Sequence, residues 1–160
     1  MLIPFEQLDK NSKIWIYQSD RKLTEKEESF VRKNTESFLV EWTAHGNSLQ
    51  AGMQLHFGQF LIIGVNEGVN EASGCSIDKS VQYITELGKA LNIDLLQRSK
   101  VAVKNKTQIQ LIEFSEIKSA VESGVISRDT EVFNNAIVSK KDLESNWLLS
   151  ATDSWIKRYF

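Results

Sequence analysis

The 160-residue sequence holds one cysteine, one proline and eight glycines, and its longest unbroken apolar run extends only from Phe60 to Val65. Each shortage excludes something. A lone Cys75 cannot form an internal disulfide, which fits a reducing, cytoplasmic setting. The apolar run is far short of the roughly 20 residues that cross a bilayer as a helix, so no membrane span is expected. The opening residues Met1 to Glu6 lack a basic leader, and Pro4 and Glu6 interrupt their apolar character, so no secretory signal is expected either. Nor is there an excess of one charge: 19 Lys plus Arg face 21 Asp plus Glu, a net charge of -2. The broad positive field that draws a chain to nucleic acid or to an acidic membrane is missing, so neither partner is expected. With no low-complexity stretch, repeat or proline-rich linker, residues 1–160 read as a single domain.

The pattern of what is present alternates strand and helix. Lys13 to Gln18 reads as a strand, with Ile14 and Ile16 alternating with Trp15 and Tyr17. Thr24-Glu25-Lys26-Glu27 matches the capping box, so a helix should start there, with Phe30, Val31, Phe38, Leu39 and Trp42 on one side. Gly46 closes that pattern, and residues 44–52 read as a loop. Met53, Leu55 and Phe57 look like a half-exposed strand and Phe60 to Val65 like a central one. Gly58-Gln59 between them suits a II′ hairpin turn, with a bulged single strand as the alternative. Ile77, Val81, Ile84, Gly88 and Leu91 form the stripe of a second helix, with Asp78 in its first turn.

Two strands, Lys100 to Lys104 and Thr107 to Phe114, should meet through Asn105-Lys106, followed by a short helix capped by Ser115 and ended by Gly124. A strand centred on Val132-Phe133 and a last helix from Ser139 to Trp147 complete the reading. The expected class is α+β, with a ferredoxin-like (split βαβ) core and a C-terminal addition of hairpin, helix and tail.

Candidate chemistry gathers in the segment 66–76, which is long for a connection between a strand and a helix. Ser73, Gly74, Cys75 and Ser76 bring small residues, hydroxyls and free amides to a helix N-terminus, a natural anion site; the plain alternative is that Ser73 or Ser76 only caps the helix. Glu67 and Glu71 would have to turn away from a bound anion, or coordinate a cation with it. The helix dipole favours the thiolate of Cys75, which makes it a candidate nucleophile, with His45 as its base and Asp78 or Asp153 orienting the ring. A buried, inert cysteine is the alternative. No His or Cys pair has a metal-ligand spacing, so no metal or other cofactor is assigned. The phosphate loop G-x-x-x-x-G-K-[ST] is absent. The tail from Asp153 to Phe160 combines Trp155 and Arg158 with further aromatics: either a stacking or carboxylate-binding surface, or an end pinned to its own domain.

At Trp42-Thr43-Ala44-His45-Gly46, Ser73-Gly74-Cys75-Ser76-Ile77-Asp78-Lys79-Ser80, Val132-Phe133-Asn134-Asn135 and Asp153-Ser154-Trp155-Ile156-Lys157-Arg158, the sequence resembles a family of small uncharacterised bacterial proteins. The likeness spans nearly the whole chain. Members often carry the automatic name "ABC transporter ATPase", although the Walker motifs of such an ATPase are not present here. The resemblance implies no catalytic role for any residue, and it directs attention to Trp42, His45, Ser73, Gly74, Cys75, Asp78, Trp155 and Arg158.

The leading expectation is a protein that binds a small anionic ligand or a protein partner at the helix N-terminus after Gly74, with Ser73, Gly74, Ser76, Asp78, Trp42, Trp155 and Arg158 as binding residues. A cysteine-dependent transferase or hydrolase using Cys75 and His45 is the first alternative. A structural or adaptor subunit is the second.

Overall fold

A computed structural model describes all 160 residues, Met1 to Phe160. It is a mixed helix and sheet fold, α+β in class, and no helix is long and apolar enough to cross a membrane. The chain divides into two compact units: residues 1–96 with 138–141, and residues 97–137 with 142–160.

The first unit contains β1 (Lys13–Gln18), α1 (Glu25–Glu41), β2 (Thr43–Ala44), β3 (Asn47–Ser48), β4 (Ala51–His56), β5 (Phe60–Val65) and α2 (Gly74–Leu91). Its sheet has the order β1-β5-β4, with β5 antiparallel to both neighbours, so β1 and β4 run parallel with β5 between them and α1 as the crossover. In a ferredoxin-like sheet another strand would follow α2 along the free edge of β1. Here the next strand joins a different sheet, and the edge of β1 meets only a bridge from Lys13 to Ser139.

The continuous apolar run in β5 reflects burial on both faces. Leu61, Ile63 and Val65 point into a core with Val31, Leu39, Ile84 and Leu87. Phe5 and Leu8 press so closely on Gly64 that a Cβ there would lie 2.8 Å from Leu8 Cδ1, so a side chain at this position would displace the N-terminal segment. The turn joining β4 and β5 is a hairpin, as expected, but it starts one residue early: Phe57 and Gly58 both have positive φ (57° and 61°), the pattern of type I′ rather than II′.

Helix α1 begins as its sequence predicts, with Thr24 Oγ1 accepting from the Glu27 amide and the Glu27 carboxylate accepting from the Thr24 amide. Its buried face is Val31, Thr35 and Leu39, and Phe30 lies off it, exposed. Helix α2 buries Ile84 and Gly88 of the expected stripe together with Leu87, but in its first turns Ser76 and Ser80 are buried where Val81, which is exposed, was expected. The shift is possible because two of these residues satisfy themselves: Ser76 Oγ donates to the Ser73 carbonyl and Ser80 Oγ to that of Ile77. A hydroxyl bonded back to its own helix is cheap to bury. Tyr83 ties α2 to α1, stacked on Phe38 with ring centroids 4.5 Å apart and with its hydroxyl 2.8 Å from Thr35 Oγ1.

The second unit contains β6 (Lys100–Asn105), β7 (Gln108–Glu113), α3 (Ile117–Glu122), β8 (Glu131–Phe133), α4 (Lys140–Asn146, of which 142–146 belong to this unit) and β9 (Leu148–Ser150). Its antiparallel sheet has the order β7-β6-β8-β9. The expected β6–β7 hairpin is present, with its turn at Lys106-Thr107, one residue later than read from sequence. Ser115 does not cap α3; it lies in a single 3-10 turn, Phe114–Glu116, that leads into the helix. Val101, Val103, Ile112, Ile117, Val132 and Ile156 build the core.

Candidate functional site

Ser73 is the N-cap of α2, its hydroxyl accepting from the Ser76 amide at 3.1 Å. Gly74 and Cys75 are therefore the first and second helical residues. Their amides have no acceptor within the chain, and both residues are exposed. A Cβ on Gly74 would meet nothing within 4 Å, so the approach to these donors is open. Of the two carboxylates in the preceding loop, Glu67 turns back onto its own loop, its Oε2 accepting from the Ala72 amide at 3.1 Å, and Glu71 is exposed.

Two of the expected binding residues hold the site together without facing it. Trp42 is buried and its indole N–H donates to the Ser76 carbonyl at 2.9 Å, which pins the end of α1 to the first turn of α2. Ser76 is itself buried, and its hydroxyl is committed to Ser73. Asp78 is a correction of another kind. Because α2 starts at Gly74, Asp78 falls in the second turn, beyond the free amides, and no acidic residue occupies the first turn.

His45 does not lie in an irregular loop. With Gly46 it forms the two-residue turn of the β2–β3 hairpin, both at positive φ (52° and 81°), and the exposed imidazole makes no hydrogen bond. The hairpin packs beside α2. Cys75 is a free, exposed cysteine, so the buried-core reading of its thiol does not hold. Nothing links the two: neither a His45–Cys75 hydrogen bond nor a carboxylate orienting the ring is present, and Asp153 accepts instead from Ser150 Oγ at 2.8 Å in the second unit. A nucleophile activated by an oriented base needs both links. No group of three or more His, Cys, Asp or Glu side chains converges as a metal site would require.

The other histidine, His56, was not singled out from sequence. It is half-buried, and this desolvation lowers its pKa. Its Nε2 lies 2.8 Å from Gln54 Oε1, while Gln54 Nε2 donates to Glu6. At the opposite end of α2 a concavity of about 400 Å³ is bordered by Asp20, Lys89, Asn92, Asp94 and Leu96. Asp20 has a structural duty there, accepting from the Asp94 amide.

Trp155 and Arg158 belong to the second unit, in the 3-10 turn Trp155–Tyr159. Ile156 is fully buried and pins this turn, whereas Trp155 remains 39% exposed. Its ring packs against Phe114 (centroids 5.6 Å apart) and Tyr159 (6.4 Å). Arg158 sits over Tyr159, and Arg128 over Phe160. Phe114 and Arg128 escaped the sequence reading because only tertiary folding brings them to the tail; the tail's own aromatic and cationic content was the one local signal.

Comparison with protein-family models, curated proteins and solved structures finds no match.

Proposed function

We propose that this chain is a binding protein whose first unit receives a small anionic group at the N-terminus of α2. The carrying observation is the pair of open amides at Gly74 and Cys75, exposed at the positive end of an 18-residue helix and free of a first-turn carboxylate. Such donors hold a phosphate or carboxylate without activating it. The buried Trp42–Ser76 hydrogen bond supports the reading by fixing the turn that presents them. The first unit is in keeping with a ferredoxin-like frame short of one strand, and the unpaired Cys75 with a cytoplasmic location. Membership of the bacterial family that the sequence resembles would add no activity to this account.

The cysteine-dependent alternative keeps one observation in its favour, the exposure of Cys75 at the second helical position. One set of variants separates it from the anion reading. Proline is well suited to Gly74: the site is the first helical position, a Cβ there meets nothing, and Ser73 already has the extended backbone (φ -85°, ψ 165°) that a following proline requires. Gly74→Pro thus removes one donor while preserving the helix. Calorimetric titration with inorganic phosphate should show saturable binding to the wild-type chain and to Cys75→Ala, weakened about tenfold or more in Gly74→Pro, since a hydrogen bond to a charged group contributes about 1.5–3 kcal/mol. No phosphate binding by the wild type, or equal binding by Gly74→Pro, would refute the anion reading. Loss on Cys75→Ala alone would favour chemistry at the thiol.

A further inference from the structure

The second unit carries an aromatic surface that its own core does not use. Phe114 leaves 49% of its surface open, Trp155 39% and Phe160 41%, and Trp155 joins Phe114 to Tyr159 through direct ring contacts. Folding normally covers such side chains, and a contiguous exposed group of them marks an interaction surface. Two arginines beside the last two aromatic residues of the chain narrow the choice of partner. The guanidinium of Arg158 lies 5.2 Å from the Tyr159 ring centroid and that of Arg128 5.3 Å from that of Phe160. Neither forms an ion pair or a hydrogen bond with any group of the chain.

Two exposed guanidinium groups, each against a ring and without a carboxylate partner, offer donors to an acidic partner. Aromatic residues and arginine are also the side chains that dominate binding energy at protein interfaces. Aromatics beside arginines suit single-stranded nucleic acid as well, but such binding relies on a positively charged groove along the backbone. Here the whole chain has a net charge of -2, without the cationic excess that such a groove calls for. We propose that the surface formed by Phe114, Trp155, Tyr159 and Phe160 with Arg128 and Arg158 docks a protein segment in which acidic residues flank an apolar anchor. The carboxylates would meet the two guanidinium groups, and the anchor would lie on the Phe114–Trp155 rings.

The test uses the full chain and three probes: a Glu-rich peptide with a central Leu-Trp pair, the same peptide with every Glu replaced by Lys, and single-stranded oligo-dT. The readout is the indole N–H resonance of Trp155, assigned by its loss in Trp155→Phe. The Glu-rich peptide alone should shift this resonance saturably, and the double variant Arg128→Gln/Arg158→Gln should weaken that binding at least tenfold. Both arginines are exposed, so an unchanged amide spectrum elsewhere will verify that the variant is folded. No shift at millimolar peptide, or equal response to the Lys peptide, overturns the proposal. Preferential binding of oligo-dT would replace it with a nucleic-acid surface. A shift that grows with protein concentration alone would replace it with self-association.

Discussion

At the scale of single residues, side-chain hydrogen bonds decide which expected site residues face outward. Trp42 and Ser76 carry the polar groups expected of a binding site, yet their indole N–H and hydroxyl are spent inside the first unit. Gly74 and Cys75 contribute backbone amides; the sequence left the cap open between Ser73 and Ser76, and in the structure Ser73 takes it. The fate of the Trp42 indole was not legible, since its partner lies far away in the chain, whereas the Ser76 hydroxyl bonds back to Ser73 within the capping segment itself. Ser12 shows the same point from the opposite side: its hydroxyl is buried with no partner. Replacing it with alanine removes an unsatisfied group at almost constant shape. Ser12→Ala should therefore stabilise the protein by about 1 kcal/mol, measurable by urea denaturation.

Elements were legible where a local code exists and less so where burial depends on tertiary contacts. The capping box gave the start of α1, and alternation gave β1 to the residue. The β2–β3 hairpin was missed because His45-Gly46 is an unusual pair for a type I′ turn, although histidine tolerates positive φ better than most residues. The buried face of α2 was legible from Ile84 to Gly88 and not before it, because the first two turns use serine where a hydrophobic pattern looks for aliphatic residues.

In α1, Glu27 is held at a pKa of about 2 by its hydrogen bond with Arg21, helped by the Thr24 amide. Its stabilising effect is fully present above its unfolded value near 4.5 and is lost as pH falls toward 2. NMR titration of the side-chain carboxylate should show this low midpoint, and Arg21→Gln should raise it. Between the helices, burial pushes Tyr83 up to about 12, partly offset by its hydrogen bond with Thr35. The stability that depends on its proton is present below pH 10 and is lost as pH rises through 12. Ultraviolet titration should resolve this tyrosine from the others, and Tyr83→Phe, which leaves the buried Thr35 hydroxyl unpaired, should cost about 1–2 kcal/mol.

For the whole molecule, the α+β class followed from the order of strands and helices, while the sheet partners did not. Lys100 to Asn105 has the apolar pattern of a strand, and nothing in that pattern says which sheet it joins; it pairs with β7 and β8. Division into two units was likewise hidden, because no proline-rich or low-complexity segment marks the boundary near Gln97 and the chain returns to the first unit at residues 138–141. The missing phosphate loop is also a whole-chain property, and it predicts that magnesium-dependent phosphate release from ATP by the purified protein stays at background.

The central claim, that the amides at the start of α2 receive an anion, is tested most directly by following the amide resonances of the ¹⁵N-labelled protein as inorganic phosphate is added at constant pH and ionic strength. The account predicts that the Gly74 and Cys75 cross-peaks move saturably and together, ahead of all others. Shifts absent from these two amides, or spread evenly over the exposed lysines and arginines, would contradict it.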